Sequence, residues 1–162
     1  MSSLFEDLKE GLEEAIAYEK GYGAGRVKTY MILPVKEYSG KEKITVVVGR
    51  DARISGPMIH NLVVNTLIGL GINVIDLGLS TTPTVEVAVP LEKADGGIIL
   101  TASHNPKQWN ALKLLNEKGE FLNGEEGLKI LEIAEAEAFD FSDVDDLGEI
   151  MINDAYMDIH ID

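Results

Sequence analysis

The sequence predicts an α/β domain: a mostly parallel sheet with flanking helices, preceded by an N-terminal helix-strand segment. Three observations predict it. From Ile44 onward three short apolar runs, "ITVVVG", "NVIDLG" and "GGIILTA", have strand length and little polar alternation, as expected of strands covered on both faces. The stretches between them repeat apolar residues at helical spacing. Strands alternating with helices are the pattern of a parallel sheet.

Taken in order, residues 4–20 set Leu4, Leu8, Leu12 and Ile16 four apart, with Phe5 and Ala15 beside them. That spacing predicts an amphipathic helix. Ser3 with Glu6 fits a capping box and Gly21 a C-terminal stop. "GYGAG" then breaks the chain, and "RVKTYMIL" (26–33) reads as a strand ended by Pro34. After the first apolar run, residues 57–70 form a predicted helix with Ile59, Leu62, Val63, Thr66, Leu67 and Leu70 on one stripe. Pro83 opens a short helix reaching about residue 91. "NALKLLN" alternates as a further strand, turned back by "EKGEF". Asn123 with Glu126 caps a last helix, from 124 to about 138. The expected units are the segment 1–43, an α/β domain 44–140 and an acidic tail 141–162.

Composition limits the function classes. With 45% hydrophobic and 26% charged residues the chain reads as globular. No apolar run approaches the roughly 20 residues of a membrane span. Zero cysteines exclude disulfides and thiolate metal sites. The start lacks the basic and apolar regions of a secretory signal, so a cytoplasmic location is expected. The net charge is −14, and it is uneven: residues 117–162 hold 15 acids against Lys118 and Lys129, whereas 21–116 hold 10 bases and 7 acids. Direct nucleic-acid binding by phosphate neutralisation is not expected of such a chain. A basic protein partner fits the acidic ends.

Ligands of parallel sheets sit at the carboxyl ends of the strands. Here those ends carry residues 49–51, 78–83 and 101–106. Ser103, followed by His104, Asn105 and Pro106, suits a nucleophile or phosphate carrier, and equally a loop serine bonding its own backbone. Arg50 and Arg53 could clamp a phosphate at the same rim, with Asp51 orienting an arginine. His104 reads as a proton relay or a packing histidine. Lys113 reads as an acid/base if partly buried, or as a solvated lysine.

"VVVGRDARISG" and "GGIILTASHNPKQWNALKLL" closely resemble the first domain of the phosphohexomutases, the family of phosphomannomutase, phosphoglucomutase and phosphoglucosamine mutase. The likeness runs from Ile44 to about Tyr156. It implies a phosphoserine at Ser103 and a general acid/base at Lys113, although Ala111 stands where the family has glycine. It also implies a phosphosugar substrate, and Mg²⁺ in an assembled mutase, with the phosphoserine giving one ligand. The family's "DGDxDR" metal loop, "GEESGH" sugar loop, last-domain phosphate loop and "SGIRG" arginine loop do not occur here. The remaining metal ligands are thus absent, and no cofactor is expected of the chain alone. Losing one electrostatic donor can cost about 3–4 kcal/mol of transition-state stabilisation, so losing these together implies no turnover.

Residues 3–43 resemble the N-terminal segment of antitoxins that precede a helix-turn-helix domain and neutralise RelE-type toxins. This likeness implies a non-catalytic acidic binding protein, antitoxin in type, whose partner is a small basic mRNA-cleaving toxin. Its partner-binding residues would be Leu4, Phe5, Leu8, Leu12 and Ile16 on the helix. Arg26, Val27, Tyr30 and Ile32 would add a strand to the partner's sheet edge. The junction between the two likenesses reads as a recombined or designed chimera. The alternative is an isolated phosphohexomutase first domain, carrying Ser103 and needing the other domains for activity.

Overall fold

The three apolar runs become neighbouring strands of one five-stranded sheet. The computed structural model describes residues 43–137 and 139–161. The predicted helix 4–20 and strand 26–33, with Leu4, Phe5, Leu8, Leu12, Ile16, Arg26, Val27, Tyr30 and Ile32, lie outside the described residues. The elements are β1 (Thr45–Arg50), α1 (Gly56–Gly69), β2 (Asn73–Leu79), α2 (Thr82–Leu91), β3 (Gly96–Leu100), β4 (Leu112–Leu115), α3 (Gly124–Ala136), a 3₁₀ turn (Val144–Asp146), β5 (Ile150–Ile152) and α4 (Tyr156–Ile161). The strand order is β4-β3-β1-β2-β5. β1 pairs parallel with β2 and β3, and β2 parallel with β5, while β4 runs antiparallel to β3.

Each face of the sheet buries its own apolar layer. Val46, Val48, Val74, Ile98 and Leu100 pack against Ile59, Val63, Val64 and Leu67 of α1. On the opposite face Val47, Ile75, Leu77 and Ile99 meet Val85, Ala88 and Val89 of α2. This two-sided burial is why the strands read as unbroken apolar runs. Gly49 permits the close approach of α2, because a Cβ there would stand 2.6 Å from the Val85 side chain.

One local expectation needs correction in part. The buried face of α1 is Gly56, Ile59, His60, Val63, Val64 and Leu67; the predicted Ile59, Val63 and Leu67 belong to it and Leu70 packs partly buried against the same core, but Leu62 does not. Leu62 is 61% exposed. The helix is turned because His60 faces inward, where Asp76 of β2 receives it at 2.9 Å. Within the acidic segment 141–162, β5 joins the sheet edge through backbone pairing of Val74, Ile75 and Asp76 with Ile150, Met151 and Ile152. In α4, Tyr156 enters the α2-side core, its hydroxyl donating to Glu92 Oε1 at 2.6 Å. Burial, and then that carboxylate, push the Tyr156 phenol up to about 12. Among the described residues no helix is long and apolar enough to cross a membrane.

The start of α3 forms as the sequence predicts. Asn123 accepts from the Glu125 and Glu126 amides, and Glu126 accepts from the Asn123 amide. An Asn123→Ala change removes the cap and is expected to cost about 1 kcal/mol. For a chain of this size that lowers the midpoint by roughly 2–4 °C in a thermal melt.

Candidate active site

The carboxyl ends of β1, β2 and β3 are stitched together by backbone bonds. Asp51 donates its amide to Leu100 O at 2.9 Å, and Ser80 donates to Arg50 O at 2.9 Å. Between Val48 and Arg50 the pairing with β2 slips by one residue, so that Arg50 lies opposite Leu79. Gly78 absorbs that bulge at φ +62°, a conformation glycine adopts without a Cβ clash. The segments 49–51, 78–83 and 101–106 therefore do share one rim.

From β3 the chain turns outward into the loop 101–111, closed at its base by the Thr101 amide donating to Ala111 O at 3.0 Å. Ser103 is exposed and stands at φ +49°. For a residue with a Cβ the left-handed region costs roughly 1–2 kcal/mol. Ser103→Gly is accordingly expected to raise stability by up to about 1 kcal/mol in urea unfolding. The Ser103 Oγ lies 3.4 Å from His104 Nδ1.

Arg53 does something other than the sequence suggests. Its Nε donates to Asp51 Oδ2 at 3.1 Å. Its Nη1 donates to the carbonyls of Pro106 (2.9 Å) and Trp109 (3.1 Å), and its Nη2 to those of Ser103 (2.7 Å) and Asn105 (2.9 Å). A guanidinium has five N–H donors, and all five are spent on the chain itself. In this arrangement none is left over for a phosphate. Arg50 is different: Nη1 donates to Asp51 O at 3.2 Å, leaving other donors at the rim.

Lys113 lies on β4 opposite Ile99. Its ammonium stands 5.5 Å from the centre of the Phe121 ring, a cation–π contact, with no bond to Ser103. Sequence reasoning missed Thr101 and the pair His60–Asp76. Thr101 Oγ1 donates to Asp51 Oδ2 at 2.9 Å and accepts the Ser103 amide at 3.1 Å. The signal available was a polar residue ending an apolar strand. Asp76 Oδ1 accepts from the Gly78 amide as well as meeting His60 Nε2, both at 2.9 Å. Desolvation by burial raises the Asp76 carboxyl, but His60, the Gly78 amide and the charge of Arg50 together hold it below its ordinary range.

A family model described as phosphoglucomutase/phosphomannomutase, alpha/beta/alpha domain I, matches residues 27–141. A phosphoglucomutase/phosphomannomutase of Thermococcus kodakarensis is 38% identical over 115 residues, which are 71% of this chain and 25% of that protein. A phosphoglucosamine mutase of Limosilactobacillus fermentum is 38% identical over 119 residues, 74% of this chain and 26% of that protein. The crystal structure of a phosphoglucomutase/phosphomannomutase family protein from Burkholderia thailandensis superposes with a TM-score of 0.61 at 26% identity, covering 73% of this chain and 26% of that one. The chain thus spans about a quarter of the length of these curated relatives. These findings overturn the antitoxin reading and the basic toxin partner with it. The match begins at residue 27, inside the very segment on which that reading rested.

Proposed function

The chain belongs to the phosphoglucomutase/phosphomannomutase family through its domain I, and on that premise we propose that it is the phosphoserine-bearing unit of a phosphohexomutase. Ser103 carries the phosphoryl group, and the substrate is a hexose phosphate. The observation that carries this reading is Ser103 itself: exposed, in a left-handed conformation, in the loop that follows β3 at the strand-end rim. Strain of this kind persists where surrounding structure over-determines it, and it gathers at functional sites.

The chemistry is two phosphoryl transfers through one serine. In the charging step Ser103 Oγ attacks a phosphorus of a hexose bisphosphate. The Oγ–P bond forms and the sugar O–P bond breaks. The Oγ proton passes to His104 Nδ1, and the departing sugar oxygen takes a proton from the Lys113 ammonium, which leaves the Phe121 ring and remains as the neutral amine. In the return step another sugar hydroxyl attacks the phosphoserine phosphorus: the new sugar O–P bond forms, the Oγ–P bond breaks, the hydroxyl proton goes back to the Lys113 amine, and His104 returns its proton to Oγ. Arg50 supplies positive charge at the rim for the transferring group. Phosphoryl transfer depends on positioning and charge stabilisation more than on covalent work by the protein.

Family membership implies Mg²⁺ in the assembled enzyme. Mg²⁺ takes oxygen ligands in near-octahedral geometry. Among the described residues no three acids or histidines converge, and Asp51, the carboxylate beneath the loop, already accepts from Arg53 and Thr101. These residues do not fit a magnesium cage; a phosphate on Ser103 would contribute a single ligand.

Incubation of the purified chain with glucose 1,6-bisphosphate, followed by phosphopeptide mapping, tests the proposal. Phosphate on Ser103 is the expected result. An unmodified Ser103, or phosphate spread over several hydroxyls, overturns it.

A further inference from the structure

Resting on that reading of Ser103, we infer that Arg53, Asp51 and Thr101 are positioning residues that set the direction of the Ser103 side chain without touching the phosphate. A residue's backbone conformation is fixed by the two peptide groups on either side of it. For Ser103 both are held. The amide is bonded to Thr101 Oγ1 and the carbonyl to Arg53 Nη2. Both grips end on one carboxylate oxygen, since Thr101 Oγ1 and Arg53 Nε each donate to Asp51 Oδ2. The other Asp51 oxygen accepts the Arg53 amide at 3.0 Å. The remaining Arg53 donors hold Asn105, Pro106 and Trp109, so the loop is fixed downstream of the serine as well.

This arrangement needs a guanidinium. Its planar fork reaches four carbonyls and a carboxylate at once, whereas a lysine offers three donors about a single nitrogen. The Arg53 side chain is only 13% exposed, so water cannot readily replace the missing bonds. Asp51 aligns the fork through one charged bond to Nε and holds the Arg53 backbone amide with its other oxygen. The unit holds a strained residue in place, and the direction of Oγ follows from it.

The test compares wild type with Arg53→Lys in two measurements. The first is the rate of phosphate uptake at Ser103 from glucose 1,6-bisphosphate. At saturating donor the variant is expected to slow on the order of 100-fold, the effect of a misplaced reacting atom, with the half-saturating concentration unchanged. The second is hydrogen exchange at the Ser103 and Asn105 amides. These are expected to exchange faster in the variant while β3 stays protected, which a general loss of stability would not produce. Should Arg53→Lys fold poorly, Asp51→Asn, which keeps the shape and removes the charge, carries the same two expectations. Wild-type uptake with an equally fast variant overturns this inference alone. A wild-type chain that takes no phosphate overturns the phosphoserine reading instead. In that case unchanged exchange at Ser103 and Asn105 in the variant would still overturn the positioning role.

Discussion

Ser103→Ala is expected to take up no phosphate from a hexose bisphosphate while unfolding at the wild-type temperature. The separation follows from how the loop is built. Every bond that anchors Ser103 uses its backbone: the amide to Thr101 and the carbonyl to Arg53. The side chain is exposed and, among the described residues, makes only the 3.4 Å contact with His104. Removing Oγ therefore leaves the scaffold intact, and alanine bears the same left-handed strain that serine did. Exposed substitutions of this kind usually fall within about 0.5 kcal/mol of wild type. Intact-mass measurement after incubation, beside a thermal melt, checks both halves. Phosphate appearing on the alanine variant would place the acceptor elsewhere in the chain. A lowered midpoint would mean that the hydroxyl is structural, which the Ser103→Gly comparison separates from backbone strain.

The three central strands β1, β2 and β3 were legible because they are buried on both sides, and two-sided burial leaves an unbroken apolar run in the text. The serine loop was legible as well, since a polar cluster directly after such a run must emerge at the rim. What the text could not show was where a donor points. Arg50 and Arg53 stand three residues apart beside the same loop. One keeps free donors, and the other spends four on carbonyl oxygens, which any loop offers and no sequence pattern marks, and the fifth on Asp51. The face of α1 was misread for a related reason. His60 belongs to the buried row only because Asp76 answers it from another element, 16 residues on. The edge strand β5 left no trace because Ile150, Met151 and Ile152 are all exposed. Backbone pairing holds it, and that is blind to side-chain alternation. The antitoxin likeness rested on an amphipathic spacing that many surface helices share, and the family match from residue 27 outweighs it.

His60→Ala is expected to destabilise the chain by about 3 kcal/mol at neutral pH, because removing one partner of a buried pair strands the other. Asp76 would keep the Gly78 amide and lose the imidazole, in a site where both residues are buried. Replacing both residues with apolar ones of similar volume should cost far less, since the desolvation of each is then relieved. The acid limb of stability supplies an independent check. The Asp76 carboxyl titrates below its ordinary 3.8 in the folded chain. Its contribution is therefore complete above that value and disappears as pH falls through the folded one. Asp76→Asn should accordingly be less stable than wild type at pH 7, and the gap should narrow below about pH 4 in urea unfolding. A gap that stays constant with pH would mean that shape, not charge, holds the β2 end. The point reaches the site itself, because the Asp76 charge attracts Arg50, the one rim arginine with donors to spare. Where that carboxylate is neutralised, Arg50 loses an electrostatic restraint, and phosphate uptake at Ser103 should weaken along with the stability of the sheet end.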